Sequence, residues 1–184
     1  MFNDAYHPPL PGDLSEQESL HQALRVNQAG EYGAIRIYQG QLAVLKDAPT
    51  VALVQNMLQQ EQKHLDIFNQ LLRQEKVRPT LLHPIWHMAG YGLGAITAVM
   101  GVKAAMACTV AVEEVIDRHY QEQLAKLPPN QSSLKAVIAE CREDECHHRD
   151  TALANQAIEA PAYPVLKTAI QALTRTAIWL SKKI

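Results

Sequence analysis

The chain has 184 residues, with 17 basic and 19 acidic side chains and a formal net charge of −2. This length fits one domain with a sizeable core. The balanced charge lacks the basic excess of nucleic-acid-binding proteins, so nucleic acid is not an expected partner. Aromatic residues make up only 5% of the chain, while Ala, Leu and Gln abound, which favours helices over sheet.

Cysteine usage indicates a reduced, intracellular protein. The three cysteines make an odd number without the spacing of a disulfide framework. Cys141 and Cys146 lie more than one helical turn apart, so no disulfide is expected between them.

The N-terminal residues 1–14 are predicted to form an irregular arm, because three prolines there interrupt any helix. They show neither a secretory nor a transit signal. Ser15-Glu-Gln-Glu18 matches a capping box, which predicts that the first helix begins there. Residues 15–184 are expected to form one domain.

The first helix carries a carboxylate in its apolar stripe. An unpaired buried carboxylate costs several kcal/mol, so Glu31 is predicted to have a partner. Gly30 and Gly33 flank Glu31. Because a glycine weakens a helix by about 1 kcal/mol relative to alanine, two glycines here indicate close packing or the approach of a bulky group. The stripe consists of Leu20, Leu24, Asn27, Glu31, Ile35, Tyr38, Leu42 and Leu45.

The second helix is predicted to begin near Pro49 and to end by Pro79. Glu61 and His64 lie three residues apart, a rotation of about 300°, so they share one face and can bind one metal ion. Both belong to an apolar stripe that consists of Val54, Met57, Glu61, His64, Phe68 and Leu71.

The segment Ile85–Val102 has no Asp, Glu, Lys or Arg and is long enough to be a candidate membrane span. A full span is rejected because it would place Glu113 across the bilayer from Glu31 and Glu61. The helix between Val102 and Glu113 rises only about 16 Å, too little to return. The segment is therefore expected in the membrane interface or in the protein core, and the interface is the sharper hypothesis.

The next helix, over Lys103–Lys126, offers two adjacent glutamates, and helical phase distinguishes them. Glu113 belongs to a largely apolar row with Met106, Thr109, Ile116 and Tyr120. Glu114 belongs to a row with Val110, Asp117 and Gln121. Glu113 is therefore predicted to point inward and Glu114 toward water.

The following helix is predicted to be capped from the loop Leu127–Ser133 and to end at Pro161 and Pro164. The rival pair Asp144 and His147 shares a row with Glu140 and Thr151, which predicts a solvated face. The apolar row consists of Leu134, Ile138, Cys141, Glu145, His148 and Ala152, and it again contains a Glu-x-x-His pair.

The last segment, Ala160–Ile184, contains four basic residues and no acidic one. An amphipathic basic helix suits an anionic lipid surface. Packing on the bundle as a fifth helix is an equally good interpretation, and the two are compatible.

Two glutamates and two Glu-x-x-His pairs alternate along the chain at nearly equal intervals. This order is typical of a two-metal carboxylate site inside a four-helix bundle, so an all-α, ferritin-like fold is predicted. Four carboxylates balance two divalent ions, and oxygen-rich ligation with some imidazole suits iron or manganese. A di-iron pair points to O₂ chemistry, and the alternatives are a ferroxidase or iron-binding protein and a non-catalytic quinone- or lipid-binding scaffold.

Several strings resemble the demethoxyubiquinone hydroxylase family, the di-iron monooxygenases of ubiquinone biosynthesis. The most specific are Ala29-Gly-Glu-Tyr-Gly-Ala34 and Met106-Ala-Cys-Thr-Val-Ala-Val-Glu-Glu114. The likeness continues at 60–65, 145–148 and 160–167 and covers nearly everything after Leu20. Many members read Glu-x-Glu-His-His where this chain has Glu-Cys-His-His, so the outer contacts of that helix differ.

The resemblance implies a set of functional residues. Glu61 and Glu145 would bridge the two irons, and His119 and Tyr120 match residues implicated in relaying electrons or protons. The implied iron ligands are Glu31, Glu61, His64, Glu113, Glu145 and His148.

The resemblance also implies a reaction and its partners. O₂ would hydroxylate the ring of a polyprenylated methoxy-methyl-benzoquinol, with two irons per chain. Electrons would come from the quinol, from NADH or from a partner protein, since no Rossmann glycine motif follows a strand. The expected location is the cytoplasmic face of a bacterial cell membrane, or the mitochondrial inner membrane for a processed eukaryotic form. Association with other ubiquinone-biosynthesis proteins and homo-oligomer formation both stay open.

Overall fold

The computed structural model describes residues 12, 14–127 and 129–184, so most of the predicted N-terminal arm lies outside the described residues. The part described is all-α, as predicted. It contains two short 3₁₀ turns, Pro129–Gln131 and Ala157–Glu159. The helices are α1 (Glu16–Val44), α2 (Ala48–Gln74), α3 (His83–Val99), α4 (Val102–Lys126), α5 (Ser132–Ala154) and α6 (Tyr163–Lys183).

Local signals fix the beginnings of α1 and α2. Ser15 and Glu18 form both halves of the predicted capping box, and the Ser15 N–H donates to the Glu18 carboxylate at 2.9 Å. Asp47 caps α2 by accepting a hydrogen bond from the Thr50 N–H at 3.1 Å, with a proline in the first turn. Each cap satisfies backbone donors that a helix start leaves unpaired.

Helix α5 begins within the predicted loop, but its predicted side-chain cap and its predicted end are wrong. Its N-cap residue is Gln131, which makes no capping hydrogen bond through its side chain. The helix ends at Ala154 rather than at Pro161, because Gln156 adopts a left-handed backbone conformation with φ of 63° and starts a 3₁₀ turn. Pro164 lies instead in the first turn of α6, where its missing N–H has no helical partner to lose.

Helices α1, α2, α4 and α5 form the four-helix bundle. The pairs α1–α2 and α4–α5 pack closely, and the two pairs meet through α1–α4 and α2–α5 contacts. Two apolar layers fill the bundle. One contains Leu24, Phe68, Tyr120 and Ile138, and the other contains Tyr38, Val54, Met57, Met106 and Val110. The polar residues of the stripes lie between these layers.

Helices α3 and α6 lie outside the bundle, α3 against α1 and α6 against α4. Backbone meets backbone where α3 crosses α1: a Cβ on Gly94 would collide with the carbonyl oxygen of Ile37, and one on Gly40 with that of Tyr91. Only glycine permits so close an approach. The Trp86 Nε1–H donates to Ser181 Oγ at 3.1 Å and fastens α3 to α6.

The uncharged segment Ile85–Val102 lies mostly in α3 and reaches α4 only at its last residue. Gly101 breaks it with φ of 111°, a conformation that favours glycine. One face of α3 packs through Gly94, Thr97 and Ala98, whereas the opposite face exposes large apolar side chains, with Val99 74% exposed. None of the described helices combines the length and apolarity that a membrane crossing needs. The position of the segment Ile85–Val102 in a membrane interface stays a prediction.

Helix α6 packs on the bundle, in agreement with the fifth-helix interpretation. Ile170 is buried against α4, but Val165, Leu173 and Trp179 are exposed. The helix therefore offers one face to the bundle and keeps a second apolar surface facing outward.

Candidate metal centre

Six side chains from four helices converge between the two apolar layers. Their ligating atoms form two groups, and within each group these atoms lie within 4.8 Å of one another. The first group is Glu31, Glu61, His64 and Glu145, and the second is Glu61, Glu113, Glu145 and His148. All six side chains are buried. Glu61 and Glu145 belong to both groups, which is the position that a bridging carboxylate occupies.

Helical phase separates Glu113 from Glu114 as the sequence predicts, but the prediction that Glu114 points toward water is wrong, because it faces α6. Glu113 is 2% exposed and belongs to the second group. The Glu114 carboxylate accepts hydrogen bonds from Lys167 Nζ at 2.6 Å and from Gln171 Nε2 at 2.7 Å. It therefore joins α4 to α6 instead of entering the cluster.

Both histidines present Nδ1 to the carboxylates. His64 Nδ1 lies 3.4 Å from Glu31 Oε2 and 3.6 Å from Glu145 Oε1. His148 Nδ1 lies 3.0 Å from Glu61 Oε1 and 3.2 Å from Glu145 Oε2. The two imidazoles thus enter the cluster through equivalent nitrogens, one in each group.

Sequence reasoning missed the residues that hold the outer nitrogens of these histidines. His64 Nε2 lies 3.0 Å from Asp144 Oδ2, and His148 Nε2 lies 3.0 Å from Gln60 Oε1. The prediction that Asp144 simply faces solvent is wrong, because this half-exposed side chain contacts a neighbouring helix. A ligating histidine almost always passes its second N–H to an acceptor, and that rule could have singled out polar residues beside the opposite pair.

Two buried tyrosines donate hydrogen bonds to Glu113 and Glu31, the two carboxylates that belong to only one of the two groups. Tyr38 Oη donates to Glu113 Oε1 at 2.7 Å, and Tyr120 Oη donates to Glu31 Oε1. The sequence singled out Tyr120 and placed Tyr38 only in the apolar stripe. The ring centroids of His119 and Tyr120 lie 6.4 Å apart, and His119 Nε2 is 2.7 Å from Gln123 Nε2.

Crowding of charge perturbs the buried groups. Burial, and then the charge of Glu145, raise the pKa of Glu61 and of Glu113 well above the usual range. Burial alone would raise the pKa of Glu145, but hydrogen bonds with His148 and His64 lower it to about 2. Burial opposes the charge on His64, yet its close contacts with the Glu145 and Glu31 carboxylates raise its pKa to about 11. Without metal, the cluster therefore retains protons.

The cluster also contains polar atoms that lack partners. Glu31 Oε2, Glu61 Oε1 and His64 Nδ1 are buried and make no hydrogen bond. Orphaned acceptors aimed at one small volume are costly unless a cation satisfies them. The donor set of four carboxylates and two imidazoles suits iron or manganese, so these residues fit the implied metal pair.

An apolar cavity of about 250 Å³ lies between α1, α3, α4 and α6, and none of the six cluster residues lines it. Its wall includes Gly30 and Val112, which precede Glu31 and Glu113 in the chain. A Cβ on Gly30 would meet its nearest side-chain atom at 3.7 Å, and one on Gly33 would meet nothing within 4 Å. Gly30 and Gly33 thus leave room for a small side chain and both line the cavity, although a Cβ on Gly90 of α3 would lie only 3.0 Å from the Gly33 carbonyl oxygen.

Residues 18–181 match the family model described as ubiquinone biosynthesis protein COQ7. The chain belongs to the COQ7 family. It is 51% identical over 176 residues to a Rhodospirillum rubrum protein named 3-demethoxyubiquinol 3-hydroxylase, covering 95% of this chain and 83% of that protein.

Eukaryotic members of the COQ7 family are similar over the same extent. The Bos taurus relative, named NADPH-dependent 3-demethoxyubiquinone 3-hydroxylase, mitochondrial, is 46% identical over 176 residues, covering 94% of this chain and 81% of that protein. The Saccharomyces cerevisiae relative, named 5-demethoxyubiquinone hydroxylase, mitochondrial, is 36% identical over 197 residues, covering 97% and 84%. These relatives carry hydroxylase names, and the fold described above supplies a buried cluster suited to such chemistry.

Proposed function

We propose that this COQ7-family chain is a di-iron 3-demethoxyubiquinol 3-hydroxylase of ubiquinone biosynthesis. The observation that carries the proposal is the convergence of six buried ligand side chains beside an apolar cavity. The carboxylates and imidazoles supply metal-binding atoms, and the cavity supplies a place for an organic substrate. An iron-storage function would have no use for such a cavity.

The two groups of side chains define two metal positions. Glu31 and His64 would hold one iron, and Glu113 and His148 would hold the other. Glu61 and Glu145 belong to both groups and would be shared between the two irons. A di-iron pair held there supplies the O₂ activation that ring hydroxylation requires.

Tyr38 and Tyr120 hold the two unshared carboxylates, Glu113 and Glu31, in place. Burial, and then the charges of nearby glutamates, raise the pKa of Tyr38 and of Tyr120 well above the ordinary value. Both hydroxyls therefore remain protonated donors near neutral pH. Each fixes one oxygen of Glu113 or Glu31 and leaves the second oxygen of that carboxylate for the metal.

The cavity fits the ring of the substrate. A dry cavity of about 150 Å³ is enough to bind benzene, so about 250 Å³ accommodates a substituted ring. Its lining is almost entirely aliphatic and excludes water from the ring. The cavity is bounded on its outer side by α3 and α6, which also bear the exposed apolar side chains, so the polyprenyl tail would leave between these helices.

The proposed location is a membrane surface. Ile85, Met88, Ile96 and Val99 on α3 are more than half exposed, and so are Leu173 and Trp179 on α6. Lys182 and Lys183 lie in the last turn of α6. Apolar side chains flanked by basic residues suit the headgroup region of an anionic bilayer. A polyprenylated substrate dissolved in that bilayer would then enter the cavity directly.

Two measurements test the proposed function. Mass spectrometry of quinones from cells that lack the protein should show accumulation of a demethoxy intermediate, and expression of the protein should remove it. Metal analysis of protein reconstituted without oxygen should give about two irons per chain, the stoichiometry of two four-ligand positions. Normal quinone content in the deletion cells would contradict the proposal.

A further inference from the structure

The two metal positions are built alike except for the outer partner of each histidine. Each position has one carboxylate of its own that accepts a tyrosine hydroxyl, and each has one imidazole that enters through Nδ1. The outer partner of His64 is the carboxylate of Asp144, whereas that of His148 is the amide oxygen of Gln60. The near-symmetry of the bundle is thus broken by one charge.

The outer contacts determine which nitrogen carries the proton. An ionised carboxylate and an amide oxygen only accept hydrogen bonds, so Nε2 of each histidine is the donor. Once both rings are neutral, as metal binding requires, the Nδ1 lone pair of each is directed into the cluster. Asp144 and Gln60 therefore perform the same task of orientation from two different helices, α5 and α2.

The two contacts differ in strength. A hydrogen bond from imidazole to an anionic acceptor is stronger than one to a neutral acceptor, and it makes the ring a better electron donor to a metal. The His64 ring is 5% exposed and the His148 ring is fully buried, so both donor rings lie in the protein interior. The Asp144 carboxylate reaches the His64 ring from the surface of the bundle, with 36% of its side chain exposed.

We infer that Asp144 and Gln60 are positioning residues that make the two metal positions unequal, with the tighter divalent cation bound at the Glu31–His64 position. The inference rests on the proposed function, because it concerns the same two positions. It adds that the chain loads its metals in order, first beside the charged partner and then beside the neutral one.

Stepwise metal binding tests this inference without any assay of activity. Metal-free protein is titrated with Co²⁺ under argon, and visible absorption of the bound metal yields two dissociation constants. Asp144→Asn retains an acceptor but removes the charge, and it should weaken the tighter step by about 10-fold or more while the weaker step is unchanged. Gln60→Glu adds a charge at the other histidine and should tighten the weaker step, so that the two constants converge.

Matched variants control for net charge. Glu143 is exposed on α5 next to Asp144, and Gln59 is exposed on α2 next to Gln60. Glu143→Gln and Gln59→Glu change the same charges without touching a histidine, so both should leave the two constants as in the original protein. Asp144→Glu should restore most of the affinity that Asp144→Asn loses.

The outcomes separate the two claims. If the unaltered protein binds fewer than two Co²⁺ ions, the proposed di-metal function fails. If it binds two, but Asp144→Asn behaves like Glu143→Gln or weakens both steps equally, the inequality of the positions is refuted while the di-metal function stands. Gln60→Glu provides the same distinction should Asp144→Asn not fold.

Discussion

Glu113 and Glu114 leave α4 in different directions and meet opposite surroundings. The Glu113 carboxylate is buried against Tyr38 and the remaining cluster glutamates. The Glu114 carboxylate is paired with Lys167 at the surface of the bundle. Glu113→Ala removes a ligand atom from the second position and should abolish binding of at least one iron and most activity. Glu114→Ala should keep both, with about 1 kcal/mol lost from a partly exposed ion pair. Measurements of iron per chain and of turnover test the two variants. Loss of iron and activity in Glu114→Ala but not in Glu113→Ala would contradict the assignment of Glu113 to the cluster.

His119 gives the protein an acid-sensitive contact apart from the metal ligands. Burial, followed by repulsion from Lys182 and Lys126, lowers its pKa to about 4. An unfolded chain with an ordinary histidine binds this proton near pH 6.5, so the unfolded state holds more protons between the two values. Stability should therefore fall as pH drops, by about 1 kcal/mol between pH 7.5 and pH 5.5 from this residue alone.

A comparison with His119→Gln isolates the effect. The variant has no titrating ring, so urea unfolding of the metal-free protein should show a smaller loss of stability over the same pH interval. Equal losses in the two proteins would mean that the ring accepts its proton in the folded state. Gln123 faces His119 Nε2 and pairs with Asn27, so the ring belongs to a polar network between α1 and α4.

Residue periodicity explains why the six cluster residues were foreseeable and their partners were not. A metal held by one helix needs ligands one turn apart on its inner face, which leaves a polar pair in an apolar row, as at Glu145 and His148. Asp144, Gln60 and Tyr38 reach from one helix to a side chain of another. That contact depends on the distance and rotation between helices, which the periodicity of a single helix does not contain.

At the scale of elements, the packing of α3 on α1 depends on the absence of side chains. Gly94→Leu would place a side chain where the Ile37 carbonyl lies, so the helices would have to separate, and we expect a loss of about 1–3 kcal/mol or more in the free energy of unfolding. Gly92→Ala is the matched control. A Cβ there meets nothing within 4 Å, and alanine favours the helix by up to about 1 kcal/mol.

Urea denaturation and limited proteolysis of α3 check the two glycine variants. Equal stability of both would show that α3 does not depend on backbone contact with α1.

The four bundle helices were predictable because each has a continuous inward stripe. The end of α5 was not, since the left-handed Gln156 stops the helix well before the prolines that seemed sufficient to end it.

At the scale of the whole molecule, exposed apolar side chains lie on both helices that enclose the cavity. Ile96→Glu with Val99→Glu should reduce binding to anionic vesicles by at least about tenfold, because each buried aliphatic side chain contributes about 1.5–3 kcal/mol. Gln55→Glu with Asn56→Glu adds the same charges at exposed positions of α2 and should bind as the unaltered chain does. Vesicle flotation measures both, and equal partitioning of the two double variants would rule out α3 as the docking face.

The six cluster residues all come from α1, α2, α4 and α5, while α3 and α6 wall the cavity and supply none of them. The substrate proposed above carries a polyprenyl tail much longer than its reactive ring, and this tail must enter and leave in every catalytic cycle. Helices α1 and α4 contribute to both the cavity wall and the cluster, whereas α3 and α6 contribute to the wall alone. Substitutions on α3 and α6 would therefore alter substrate entry without removing a cluster residue.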